Sequence, residues 1–321
     1  MASVATEVFP GLWRLRLPFH LELNHVNVHL LRVEGGWLLA DTGFNSEAAF
    51  AALEIGLREA AVDWPQIRSI LLTHCHPDHM GLAPAVLERS QARLMVHGAE
   101  VAWVNRASNE EGQRALDSPM VGWGASVELV EKVRHAAESV RRSFHRLSPD
   151  VVLHGGEEIP TTTGAWTTVW TPGHSPGHVC LYNRQHRLLI SGDHVLEKIT
   201  PHIGWLPETD TLQSYLDSLA RVAELEADTA FPSHGDPFGE VAARIREIER
   251  HHAWRCHLIG EHLDGNEKTV GDLVADLWQD ALSPFQTRFA FYEVMAHLVY
   301  MEHRGEVRRR QVATFDYWSH G

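Results

Sequence analysis

Thr73-His74-Cys75-His76-Pro77-Asp78-His79 packs three imidazoles and a carboxylate into the six residues from His74 to His79. It follows Ile67–Leu72, a short apolar run of the length expected for a buried strand. Side chains alternate beyond a strand end, so His74 and His76 share one side and Cys75 points away from them. Asp78 and His79 then start a helix and approach the same corner from a different angle. That many nitrogen and carboxylate donors at one strand end can begin two adjacent metal sites.

Three more segments repeat the device. Thr171-Pro172-Gly173-His174-Ser175-Pro176-Gly177-His178 sets histidines in a stiff turn after a strand. Ser191-Gly192-Asp193-His194 and Pro232-Ser233-His234-Gly235-Asp236 each put donors at a strand end. Loops at the C-terminal ends of strands are where layered α/β folds build their sites. Upstream, Val26, Val28 and Leu30 alternate, Gly35-Gly36 turns the chain, and Trp37 to Ala40 runs back to Asp41-Thr42-Gly43, the pattern of a hairpin. A helix is expected from Ser46 to Leu57, another from Leu82 to Ser90, and a strand from Arg93 to Val96. In the second half, strand-like pieces at Val151, Thr167, Cys180 and Leu188 precede a helix from Leu212 to Leu225 and a strand toward Phe231.

Residues 100–150 break this rhythm. Two helical stretches, Val101 to Leu116 and Val127 to Leu147, flank Pro119 to Gly124 in a segment too long for an ordinary connection. The expectation is a cap over the cleft, with Trp103, Met120, Trp123 and Phe144 supplying apolar surface. Beyond residue 240 the pattern is helix (Val241 to Leu263), helix (Thr269 to Trp278), helix (Phe289 to His303) and a β-hairpin from Val307, the order of a winged-helix module.

Composition narrows the class. A chain of 321 residues, 44% hydrophobic and 22% charged, suits one catalytic domain with a small appendage. No stretch reaches the roughly 18 apolar residues of a membrane span and no leader-like segment is evident, so the expectation is a soluble cytoplasmic protein. Cys75, Cys180 and Cys256 are odd in number and far apart, unlike a disulfide framework. The net charge of −14 offers a nucleic-acid backbone no general attraction. Of the 23 histidines most must be structural or exposed, because a dinuclear site needs only about five. The pair His251-His252 reads as surface or interface.

The set Asp41-Thr42-Gly43, His74-x-His76-x-Asp78-His79, His174, Asp193 and His234 resembles the metallo-β-lactamase-fold hydrolases, over roughly residues 8 to 240. The resemblance implies an αββα sandwich spanning 1–240, with the helical insertion of about 100–150 and a winged-helix-like domain at 241–321. It implies that His74, His76 and His174 hold a first metal and Asp78, His79 and His234 a second. Asp193 would bridge the two, as in the glyoxalase II and ribonuclease Z type, with Asp78 and Asp193 central to catalysis. Asp41 is expected to steer a ligand histidine or its loop, and His178 to orient rather than ligate. His194 and His202 are left open between substrate contact and packing. Two divalent ions, zinc before iron or manganese, would generate a bridging hydroxide.

The substrate is expected to be a small ester, thioester or lactone. The lactonase subgroup usually carries a tyrosine after the bridging aspartate, where this chain has His194. The layout also resembles lactamase-B-like hydrolases with a winged-helix tail, some of which cut single-stranded RNA, so a phosphodiesterase or endoribonuclease is the alternative. A metal-binding regulator contacting DNA is a third reading. Against both nucleic-acid readings, residues 241–321 hold 10 basic and 12 acidic side chains, and Phe289 to Tyr300 is apolar rather than basic. That helix is expected to pack on the catalytic domain or to support a homo-oligomer.

Overall fold

Period-two burial, read strand by strand, divides the molecule into layers. The computed structural model describes residues 3–19, 23–278 and 282–321. Ala5–Phe9, Leu12–Pro18, His25–Val33 and Gly36–Ala40 pair antiparallel in succession, and the parallel strands Ile67–Leu71, Arg93–His97 and Val151–Leu153 extend that half-sheet. Glu158–Thr161, Gly164–Trp170, Val179–Asn183 and Leu188–Gly192 form an antiparallel second half, which Thr229–Pro232 joins in parallel. The halves connect through Val33 and Thr161.

Each strand divides its residues between two cores. Leu38, Ala40 and Leu71 from the first half meet Val179, Leu181, Ile190 and Phe231 from the second. The alternate residues Leu39 and Ile70 pack outward under the helices Glu47–Glu59 and Ala83–Ser90 with Leu53 and Val86. On the far side, Cys180, Leu189 and Ala230 pack under Leu212, Tyr215 and Leu219 of helix Thr211–Ala223. Three apolar interlayers separate four layers, helix, sheet, sheet, helix. The fold is the expected αββα sandwich.

The tail does not build a separate core. Val241–Leu263, Val270–Leu277 and Pro284–His303 place Ile245, Leu273, Phe291, Met295 and Leu298 in the cluster that holds Tyr215, and the hairpin Val307–Val312/Phe315–His320 follows. The last helix begins earlier than Phe289. Ser283 and Gln286 cap each other's backbone and Pro284 takes the first helical position, a polar start that apolar periodicity does not register. No described helix is long and apolar enough to cross a membrane.

The insertion differs from its expected form. It comprises Gly98–Ala107, Glu110–Asp117, Pro119–Gly122, Val127–Ala136 and Glu138–Arg141 rather than two long helices. Asn109 ends the first by capping the second, accepting from Gly112 N at 2.8 Å. Met120 and Trp123 do not overhang a cleft. Both are buried, Trp123 against the rings of Trp205 and Tyr292, because the tail helix covers the surface that a cap would have presented. Trp103 alone of the four touches a site histidine, its ring 5.8 Å from that of His76, with Phe144 behind it.

Candidate metal centre

Strand register assembles the site. Ala40 pairs with Leu71 in parallel, so Asp41 and the loop after Leu71 emerge side by side, and Asp41 N donates to Leu71 O at 2.8 Å. Gly192 pairs with Pro232, so Asp193 and His234 emerge together. Two main-chain bonds tie the halves here, Val179 N to Thr73 O (2.8 Å) and Asn27 N to Ser233 O (2.6 Å).

Three overlapping groups of donors result, each with its ligand atoms within 4.8 Å of one another: His74, His76 and His174; His74, His79 and Asp193; Asp78, His79 and His234. These are the seven residues expected as ligands, brought together from four separate loops. His76 Nδ1 lies 2.9 Å from His74 Nε2 and 3.0 Å from His174 Nε2. Asp193 stands between the groups, its oxygens 3.5 Å from His79 Nε2, 3.5 Å from His234 Nε2 and 3.7 Å from His174 Nε2. Asp78 Oδ2 lies 3.2 Å from His234 Nε2 and 3.6 Å from His79 Nε2.

The outer ring nitrogens are engaged, which sets the tautomers. His79 Nδ1 donates to Asp41 Oδ2 (2.9 Å), His174 Nδ1 to the His202 carbonyl (2.8 Å) and His234 Nδ1 to the His25 carbonyl (2.7 Å). Each of these rings therefore turns Nε2 inward, a common arrangement for ligating imidazoles. Asp41 also accepts from Thr73 N and Thr73 Oγ1, both at 2.8 Å, from a left-handed backbone (φ 63°) that aspartate tolerates.

His79 Nε2, His234 Nε2 and Asp193 Oδ1 are buried without a hydrogen-bond partner, a costly arrangement unless something bonds them together. Burial, with the neighbouring His174, pushes His76 down to about 3, so its nitrogen lone pair is available. Burial opposes charge on His79 and His234 too, but the Asp193 and Asp78 carboxylates override it; His79 rises well above its ordinary value and His234 to about 10. The carboxylates thus call for positive charge where the orphaned nitrogens converge. Divalent cations fit this donor set.

The remaining candidates separate cleanly. His178 is bonded through both ring nitrogens: its Nε2 accepts from Asp193 N at 3.1 Å and its Nδ1 contacts Thr171 Oγ1 at 2.8 Å. His194 is fully buried against Tyr215 and His178; helix Thr211–Ala223 closes over it, with Tyr215 Oη donating to its carbonyl at 2.7 Å. His202 positions His174 through its carbonyl, while its ring packs on Phe289 and faces Glu293 of the tail. Cys75 is buried, pointing into the helix-side core as alternation requires. His252, expected at the surface or an interface, is buried within the chain and bonded to His297 at 3.1 Å, because the last helix packs over that face. Sequence reasoning passes over His25, Thr73, Thr171 and Glu100, which act on backbone or on other side chains and carry no motif of their own.

This geometry agrees with comparison to known proteins. The family model described as metallo-beta-lactamase superfamily matches residues 21–234. The chain belongs to that superfamily. A second model, for the metallo-beta-lactamase-like C-terminal domain, matches residues 257–315. The chain is 28% identical over 264 residues to the acyl-coenzyme A thioesterase MBLAC2 of Gallus gallus, covering 78% of this chain and 87% of that protein. It is 24% identical over 316 residues to the probable metallo-hydrolase YqjP of Bacillus subtilis, covering 95% and 94%. A metallo-beta-lactamase family protein from Thermus thermophilus superposes with a TM-score of 0.85 at 32% identity, covering 98% of this chain and all of that one. A beta-lactamase domain protein from Burkholderia ambifaria gives 0.88 at 28%, covering 99% and 94%. The protein is a metallo-hydrolase of the metallo-beta-lactamase superfamily with its C-terminal domain.

Proposed function

We propose that this metallo-hydrolase is dinuclear and cleaves a small acyl substrate, a thioester before an ester or lactone. The observation that carries this reading is the overlap of the donor groups, in which Asp193 lies among His79, His174 and His234 and the inward nitrogens of His79 and His234 are buried without a hydrogen-bond partner. His74, His76 and His174 would hold one cation, Asp78, His79 and His234 the other, and Asp193 both. When bound, two divalent cations supply Lewis acidity and a nucleophilic water at neutral pH.

The chain's own residues do the rest. Asp41 and the carbonyls of His25 and His202 hold three imidazoles in one tautomer each. Asp78 would orient the hydrolytic water. Trp103 beside His76, and Phe19 near His234, make the flanks apolar, which suits an acyl chain. The thioester preference rests on the relative named as an acyl-coenzyme A thioesterase.

In this reading residues 1–240 are the catalytic unit and 241–321 a winged-helix-like unit given over to packing. Two of the three arginines of its basic strand are paired, Arg310 with Glu267 and Arg309 with Glu302, which disfavours a phosphate backbone as partner. The test is a panel of acyl-coenzyme A thioesters, lactones, an aryl phosphodiester and single-stranded RNA, run on protein loaded with zinc, iron or manganese. The largest kcat/KM should fall on a thioester. Faster turnover of RNA or the phosphodiester would sink this reading.

A further inference from the structure

Glu100 is a fully buried carboxylate outside the donor set, and it has an unusual pair of partners. Its Oε2 accepts from Cys75 N at 2.8 Å and its Oε1 from Gly177 N at 2.7 Å. Cys75 lies between His74 and His76, and Gly177 between His174 and His178. One carboxylate therefore spans two loops roughly 100 residues apart in the chain, gripping a residue that adjoins His74 and His76 and another that lies three positions after His174, the third histidine of that donor group. Because the fork is planar, its two oxygens fix the spacing of the loops as well as their attachment.

Glu100 is the third residue of helix Gly98–Ala107, the position from which glutamate ordinarily reaches back to its own helix start. Here it is turned outward to foreign backbone, and His97 takes the cap by accepting from Ala99 N at 3.2 Å. A second feature shows how close the loop must come. A Cβ added to Gly177 would lie 2.6 Å from His97 Nδ1 and 2.7 Å from Glu100 N, so only glycine lets this loop reach the first turn. The same helix carries Trp103, three residues on, against His76.

We propose that Glu100 is a positioning residue: it sets the separation of the His74/His76 loop from the His174 loop, and hence the geometry of the first cation site. The inserted segment enters the chemistry through this clamp rather than as a lid. The inference rests on the reading of His74, His76 and His174 as ligands.

The test is Glu100→Gln, which preserves shape but turns an amide NH2 toward one of the two N–H donors. Metal affinity is measured by competition with a chromophoric chelator, and the cobalt-substituted protein is examined by visible absorption. The expected result is one cation bound about 10–100-fold more weakly, with an altered cobalt spectrum and the second cation unaffected. Gly177→Ala pushes on the same contact from the other loop and should reproduce the defect, which keeps the test decisive should Glu100→Gln fail to fold. Wild-type affinity and spectrum in the folded variants would overturn the proposal, even if their metal-free forms melted earlier, since that outcome describes mere scaffolding. Failure of the wild-type protein to bind two cations would instead defeat the dinuclear reading on which it rests.

Discussion

Asp193 and His178 are joined by a bond from the Asp193 main-chain N–H to His178 Nε2, 3.1 Å long and wholly buried. Because Nε2 accepts, the ring is neutral with its proton on Nδ1, directed at Thr171 Oγ1. Burial, with the neighbouring His194, holds His178 well below the ordinary histidine range, in keeping with a permanent acceptor. Gly192 makes room for the contact, since a Cβ there would lie 2.5 Å from His178 Nε2.

His178→Phe keeps the ring and removes the acceptor, leaving the Asp193 amide unpaired at the centre of the site. The variant should fold, and kcat/KM or metal affinity should fall about 10–100-fold. His178→Gln, which can present an oxygen, should recover part of the loss. Kinetics equal to wild type in His178→Phe would show that Asp193 is held well enough by its strand alone.

Purified protein should carry close to two transition-metal ions per chain, and Asp193→Ala should empty or scramble the site. Chelation should abolish hydrolysis and lower the melting temperature, because it leaves Asp78 and Asp193 facing buried imidazoles without a shared cation. A ligand present at 1,000 times its Kd contributes about 4 kcal/mol, so the difference should be several degrees. Elemental analysis showing one tight ion in fully active enzyme would refute the dinuclear assignment.

The donors are legible in sequence because each sits beside a strand end, where short-range rules hold. His74 and His76 alternate, Asp78 and His79 start a helix, and Asp193 and His234 follow apolar runs. Layering is legible for the same reason, since period two distributes Leu38 and Leu39 to different cores. What eludes the reading depends on contacts distant in the chain. Glu100 looks like any glutamate in a first helical turn until Gly177 arrives. Met120 and Trp123 read as the apolar surface of a cap, and His252 as surface or interface, until the last helix covers them. His194 looks as available as Asp193, and only Tyr215 reveals that it faces the core.

Two tryptophans of the insertion should therefore behave differently. Trp123→Ala leaves a cavity beneath the tail helix and should cost about 3–5 kcal/mol, on the order of 10 °C in melting temperature, with KM little changed in the protein that remains folded. Trp103→Ala removes the ring beside His76 and should lower kcat/KM roughly tenfold or more with metal content intact. Thermal scans and kinetics on both variants check this. A reversal, with Trp123 governing KM and Trp103 only stability, would restore the cap reading.

Acid should destabilise this protein in part through a histidine pair outside the donor set. His297 Nδ1 donates to the Glu293 carbonyl at 2.7 Å, so its Nε2 accepts, and His252 Nδ1 donates to it at 3.1 Å. A second proton on His297 would face the His252 N–H, and one on His252 Nε2 would be buried without an acceptor. Burial, reinforced by Arg255, outweighs the attraction of Glu293 and holds His252 down to about 3 and His297 down to about 4, against 6.5 in the unfolded chain. Between these values the unfolded chain binds more protons than the folded one, so stability rises with pH across the interval. The contribution is fully present above pH 6.5 and is lost as pH falls toward 4. Melting temperature measured from pH 8 to pH 5 in chelator, which removes metal binding as a variable, should drop below pH 6.5. The drop should be smaller in the double variant His252→Leu/His297→Leu, where no buried imidazole pair remains to be charged. Parallel losses in the two proteins would place the acid sensitivity among the other histidines that burial holds down, His29, His76, His178 and His194.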